Sequence, residues 1–305
     1  MTEIPENIGP ILREIDAELK AQGVLPHQRS AHAVIAFGKR FNISLPLFRL
    51  NPSSPRVSEA VNQEHVTVKI YEWFDEIYGE RINVDPSSKA KVAVLAHGDL
   101  WEMRIPLVWG TEITTATKDF TLPKNIVSQG PIYTNAAVQL EKITPARLSE
   151  FTDADLAETL QMYDLGRLVR TAFDSFRNDH RLFPIAESNW SAAVFHLTAQ
   201  NADYGESRWS SLQLVEKFMK GLLYLMDDAT AEEIKDAGHE LKKLHRLLVR
   251  SIRDINLMPL AKEVQCTAQV RYGEVVSTRD QAYKAHKSAL RIVASLGSIK
   301  NGNEP

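Results

Sequence analysis

The residues with the clearest chemical potential lie between positions 216 and 253. Glu216, Lys217 and Lys220 fall within little more than one helical turn. His239, Lys242, Arg246, Arg250 and Arg253 follow at spacings of 3, 4, 4 and 3 residues. Side chains three and four apart share a helix face, so this pattern predicts a basic ridge. Lys and Arg on such a ridge offer positive donors to phosphate oxygens, and Arg can do so bidentately. Lys217, Lys220, His239, Lys242 and Arg246 are therefore the candidate phosphate-binding residues. The same charges also suit a solvated helix face that holds no ligand. Glu216 and Lys220 form an i,i+4 pair, worth a few tenths of a kcal/mol on an exposed helix. His239, after a glycine at a helix start, fits a structural role as well as a ligand-facing one.

Other candidates are sparser. His97 and Asp99 flank a turn, but two ligands on a turn do not make a metal site, and no metal is expected. Asp153 and Asp155 read as first-turn charges favoured by a helix dipole. Cys266 is the one cysteine, which excludes an internal disulfide and a cysteine-based zinc cage; it reads as a small, half-buried apolar residue. There is no GxGxxG, P-loop, HExxH or GxSxG motif, and no cofactor is expected.

The elements that must position these residues can be read from periodicity. Ile8, Ile11, Leu12, Ile15 and Leu19 predict an amphipathic helix ending near Gly23. Residues 30–43 predict a second, more buried element. NPSSPR at 51–56 reads as a loop and VDPSSK at 84–89 as a turn. His65 to Tyr71 reads as a strand. Residues 90–96 and 100–109 read as a hairpin with Gly98 in the turn, and Pro106 places an edge or bulge in its second strand. Ile132 to Leu140 reads as a further strand. Thr144-Pro145 and Thr152 to Asp155 read as helix starts, and 153–177 as a long or broken helix.

Four helices are expected after residue 188. The first begins near Ser188 and carries Trp190, Ala193, Val194 and Leu197. The second spans 208–226 with Leu212, Val215, Met219, Leu222 and Met226 as one stripe. The third starts near Gly238 with Leu241, Leu244, Leu248 and Ile252. Ser277 caps the fourth, which turns Ala282, Ala285, Ala289, Ile292 and Leu296 inward. Thr230 to Glu233 is a capping box before a short helical turn. The expected organisation is an α+β region over 1–142, a helical linker over 143–187, an all-α antiparallel four-helix bundle over 188–297, and a disordered tail over 298–305.

These residues also carry a resemblance. Trp190 leads the first helix, and Val215-Glu216-Lys217-Phe218-Met219-Lys220-Gly221-Leu222-Leu223 forms the middle of the second. Gly238-His239-Glu240-Leu241-Lys242-Lys243-Leu244 opens the third, then come Arg271-Tyr272 and the alanines at 282, 285 and 289. In order and spacing this resembles the HEPN domain, named for higher-eukaryote and prokaryote nucleotide binding, over about the last third of the chain. The resemblance implies a helical bundle that binds a nucleotide or RNA, a homodimer, and partnership with a neighbouring nucleotidyltransferase-like protein. Many HEPN domains are ribonucleases whose signature is an arginine followed several residues later by a histidine. Arg279 and His286 match that spacing, and as an alternative they imply metal-independent RNA cleavage. The histidine would move a proton and the arginine would stabilise the phosphorane. A third reading is a dimerising scaffold or antitoxin-like interaction protein. Residues 1–180 resemble no family.

Composition limits the choices. The 305 residues carry 36 Lys and Arg against 39 Asp and Glu, a net charge of −3. That gives no global basic field of the kind that drives nonspecific nucleic-acid binding. No apolar run reaches the roughly 18 residues a membrane span needs, and the start does not read as a secretory signal, so a cytoplasmic protein without a membrane partner is expected.

Overall fold

The computed structural model describes residues 5, 7–24, 26–47, 58–79, 90–108, 111–121, 132–227, 229–252 and 255–301. They are mostly helical, with a small β region in the middle made of two two-stranded sheets. The chain divides into two units, Met1–Asp85 and Pro86–Pro305.

Three helices form the first unit: α1 (Gly9–Ala21), α2 (Pro26–Phe41) and α3 (Ser58–Tyr78). Leu12, Ile15 and Leu19 of α1 meet Val34, Phe37 and Phe41 of α2 and Ile70 and Phe74 of α3. The strand expected at His65 to Tyr71 is part of α3. Among the residues of α3 whose burial is described, Thr67, Ile70 and Phe74 are buried, spaced three and four apart, while the β-rich composition of the segment mimics alternation. The segments 51–56 and 84–89, read as a loop and a turn, lie outside the described residues.

In the second unit the hairpin forms, but its second strand ends at Arg104, before Pro106, instead of running on through the proline towards residue 109. Strands β1 (Lys91–Ala96) and β2 (Asp99–Arg104) pair antiparallel in the register Lys91↔Arg104 to Ala96↔Asp99. His97 and Gly98, with φ of 49° and 78°, make the two-residue turn whose twist suits a hairpin. β3 (Glu112–Thr115) and β4 (Ile132–Asn135) pair in parallel. The strand expected to run on to Leu140 stops at Asn135, whose side chain accepts from the Ala137 N–H and caps a 3-10 turn over Ala136–Gln139.

Helices α4 (Pro145–Ser149), α5 (Asp153–Phe176), α6 (Leu182–Thr198) and α7 (Tyr204–Met226) follow. Then come α8 (Ala231–Asp236), α9 (Leu241–Leu248), α10 (Met258–Val264), α11 (Ala268–Arg271) and α12 (Arg279–Gly297). Capping boxes start α5 at Thr152, α8 at Thr230 and α12 at Thr278, the last one residue beyond the expected Ser277. α6 begins at Leu182 instead of Ser188, because Pro184 sits in the first turn where its missing N–H costs no bond. Residues 298–301, expected to be disordered, form a 3-10 turn; the rest of that tail lies outside the described residues.

The break between units falls at residue 85, so the hairpin belongs with the helices, and neither 142 nor 187 separates compact units. Val92, Ala93 and Val94 of β1 are all fully buried, and a strand apolar on both faces needs cover on both. It packs against α5, α6 and α12. α5 is accordingly a core helix, burying Met162, Tyr163, Val169, Ala172 and Phe173. Phe173 and Phe176 of α5 meet Phe218 of α7 edge-on at 5.4 and 5.8 Å between centroids, and Trp190 of α6 stacks on Phe173 at 5.8 Å. The aromatic core thus runs across the boundary expected at 187.

Candidate anion-binding site

Glu216 lies beside the apolar stripe of α7 and is wholly buried. An uncompensated buried carboxylate is costly, and this one is fully compensated. Its Oε1 accepts from Lys217 Nζ at 3.1 Å and Lys220 Nζ at 2.8 Å. Its Oε2 accepts from Gln213 Nε2 at 2.9 Å and pairs with His239 Nδ1 at 2.6 Å. Burial alone would raise the Glu216 pKa. Hydrogen bonds from His239 and Lys220, with the charges of Lys217 and Lys220, outweigh it and hold the group below its ordinary value. An ionised carboxylate only accepts, so Nδ1 of His239 carries a proton and Nε2 is the nitrogen left for a ligand. The His239 side chain is 59% exposed.

Local structure explains how His239 reaches Glu216. Gly238, at φ 56°, turns the chain after α8. Gln265, just past the end of α10, then clamps the segment. Its Nε2 donates to the His239 carbonyl at 3.2 Å and its Oε1 accepts from Leu241 N–H at 3.0 Å. The Trp209 ring stands edge-on to the imidazole at 5.5 Å. Gln213, Trp209 and Gln265 were not singled out from sequence. Gln213 sits three residues before Glu216 on one helix face and could have been found that way; the other two meet His239 only through tertiary folding.

Of the five candidate binding residues, three converge: Lys217, Lys220 and His239. The ridge expected to join them is divided. α9 ends at Leu248, Lys242 and Arg246 lie on its exposed side, and they line two different clefts. Arg250 pairs with Glu233 at 2.9 Å, and Arg253 lies outside the described residues.

Arg279 and His286 do not share an open surface. Seven residues on one helix separate them by about 10 Å of rise. Arg279, the first residue of α12, donates to the Gly98 carbonyl at 2.6 Å. His286 is fully buried, and burial pulls its pKa down to about 4, so the ring is neutral. Its Nε2 accepts from the Ala93 N–H at 3.4 Å, covering the open edge of β1. Its Nδ1 has no hydrogen-bond partner among the described residues.

The turn at His97 and Asp99 is tied by the chain itself. Asp155, besides its capping role, accepts from the His97 N–H at 2.6 Å, and Asp99 pairs with Arg147 at 2.5 Å. Among the described residues no group of three His, Cys, Asp or Glu side chains is placed to hold a metal. Arg271 pairs with Glu206 at 3.2 Å and lies over the Tyr272 ring. Cys266 is buried, which raises its thiol pKa and keeps it protonated.

Comparison of the chain with protein-family models, with curated proteins and with solved structures finds no match. Among the described residues no helix is long and apolar enough to cross a membrane.

Proposed function

We propose that this protein is a non-catalytic binding module for a phosphate-bearing ligand, a nucleotide or RNA, met at Lys217, Lys220 and His239. In this reading α6, α7, α9 and α12 are the four helices of a HEPN-like bundle, and α5 with the hairpin is an addition packed onto it. One observation carries the proposal. The buried carboxylate of Glu216 gathers two ammonium groups and an imidazole at one place, and two positive charges against one negative leave a net cationic patch with its donors already oriented. Arg279 and His286 play no part, since His286 is closed off from solvent.

The test is a titration of labelled ATP and labelled single-stranded RNA followed by anisotropy. Lys217→Ala, Lys220→Ala and His239→Ala should each weaken binding about tenfold, and raised salt should weaken the wild type too. Affinity that ignores all three substitutions sinks the reading. RNA incubated with the protein should stay intact.

A second reading, a homodimer, is favoured by the loop before α12, where Tyr272 and Val276 are 70% and 84% exposed. Light scattering on the wild type and on Val276→Asp checks it; a monomeric wild type removes it.

A further inference from the structure

The Glu216 cluster gathers charge, and it also fixes which side of the His239 ring meets solvent. Nδ1–H is held on Glu216 Oε2 at 2.6 Å, and the edge-on Trp209 ring stands 5.5 Å away. Nε2 is left with its lone pair free on a side chain that is 59% exposed. Among the described residues no hydroxyl or thiol bonds to it, so the ring is not placed as a base for another nucleophile. Four other histidines are held differently. His245 Nε2 lies between the Ile255 carbonyl and the Leu257 amide in the interior, and His286 is closed off from solvent. His97 comes no nearer than 3.7 Å to a carboxylate, and His180 Nδ1 accepts from the Leu182 amide.

We propose that His239 is a phosphoryl acceptor whose Nε2 takes the phosphoryl group of a small acyl phosphate. This rests on the cationic patch read above and goes beyond reversible binding to a covalent modification. The bond from Nε2 to phosphorus forms as the bond from phosphorus to the acyl oxygen breaks. The electron pair of the broken bond leaves with the carboxylate, which departs without needing a proton. Positive charge develops on the ring and settles at Nδ1–H, directly against the ionised Glu216. A carboxylate in that position holds the reactive tautomer and stabilises the imidazolium that forms. Lys217 and Lys220, bonded to the other oxygen of Glu216, keep the surroundings positive toward an anionic donor. Gln265 holds the backbone on either side of the ring, through the His239 carbonyl and the Leu241 amide.

The test is incubation of the full chain with acetyl phosphate, followed over time by peptide mass mapping at neutral pH. His65, an exposed histidine of α3, is the internal reference. His239 should gain an acid-labile phosphoryl group about tenfold faster than His65 or more. Glu216→Gln removes the charge facing Nδ1 and keeps the shape. It should slow His239 about tenfold or more and leave His65 unchanged. Equal rates at His239 and His65 in the wild type overturn the proposal. An unchanged His239 rate in a Glu216→Gln chain that circular dichroism shows to be folded overturns it as well. Where that variant does not fold, the ratio of His239 to His65 in the wild type decides. Acetylation of Lys217 or Lys220 with no phosphoryl group on His239 also overturns it. A chain that binds ATP or RNA but is not labelled at His239 loses the acceptor and keeps the binding reading. Label at His239 in a chain that binds neither supports the acceptor and removes the binding reading.

Discussion

In each unit a carboxylate is buried against two basic side chains, and these two clusters are finished differently. Asp16 of α1, 5% exposed, pairs with Lys20 at 2.7 Å and with Arg29 at 3.6 Å, and both its oxygens accept from the Tyr78 hydroxyl at 2.7 Å. Tyr78 in turn accepts from Arg29 at 2.7 Å. The network closes on itself and ties α1, α2 and α3 together. Glu216, 1% exposed, also holds two cations, but its last partner is an imidazole turned to solvent. The electrostatic problem is the same in both places: a desolvated carboxylate needs its lone pairs filled. A hydroxyl that is itself bonded makes a structural tie. A ring with a second nitrogen still available makes a surface that can meet something else.

The strongest way to break the comparison is to remove the carboxylates. Glu216→Ala leaves Lys217 and Lys220 packed without their counter-charge, and Asp16→Ala strands Arg29 and Tyr78. Each should cost about 3–5 kcal/mol in denaturant unfolding of the full chain. Equal losses support the shared physics; a loss under about 1 kcal/mol at Glu216 would show that the patch is mostly solvated.

His286 sharpens the contrast as a buried titratable group with no charged partner. Its folded pKa is depressed to about 4 from an ordinary 6.5, so the unfolded chain takes up the proton first as pH falls. This contribution is neutral above pH 6.5. It destabilises by about 1.4 kcal/mol per unit between 6.5 and 4, about 3 kcal/mol in all, and levels off below. His286→Gln should flatten that part of the stability curve measured against wild type. An unchanged slope would mean that the ring opens to water.

Smaller effects separate the two end groups. Tyr78→Phe should cost about 1–3 kcal/mol, because Asp16 loses a charge-assisted hydrogen bond, and should leave nucleotide binding untouched. His239→Ala should stay within about 1 kcal/mol of wild-type stability, as befits an exposed partner, while weakening the ligand. A reversal of these two outcomes would exchange the roles given to the networks.

Much of the local structure was legible. Of the expected stripe, Leu212, Val215, Met219 and Leu222 are buried and Met226 is half-buried, and Ala282, Ala285, Ala289, Ile292 and Leu296 are all buried, because helical period is written in adjacent turns. Capping boxes at Thr152 and Thr230 are four-residue patterns and need no tertiary help. The strand expected at His65 to Tyr71 was lost because β-branched residues fit either period over so short a window, and the decision lay with what Ile70 and Phe74 pack against.

The sequence by itself determined α1, the apolar stripes of α7 and α12, the caps at Thr152 and Thr230 and the His97-Gly98 turn, since these depend on neighbours within a few residues. It also placed Glu216, Lys217 and Lys220 on one face. Only the tertiary structure decided that His239 completes that cluster, that Lys242 and Arg246 part company across a helix of eight residues, and that His286 faces Ala93 in the interior. Those outcomes depend on which surfaces meet once the chain is compact, and no local spacing encodes that meeting.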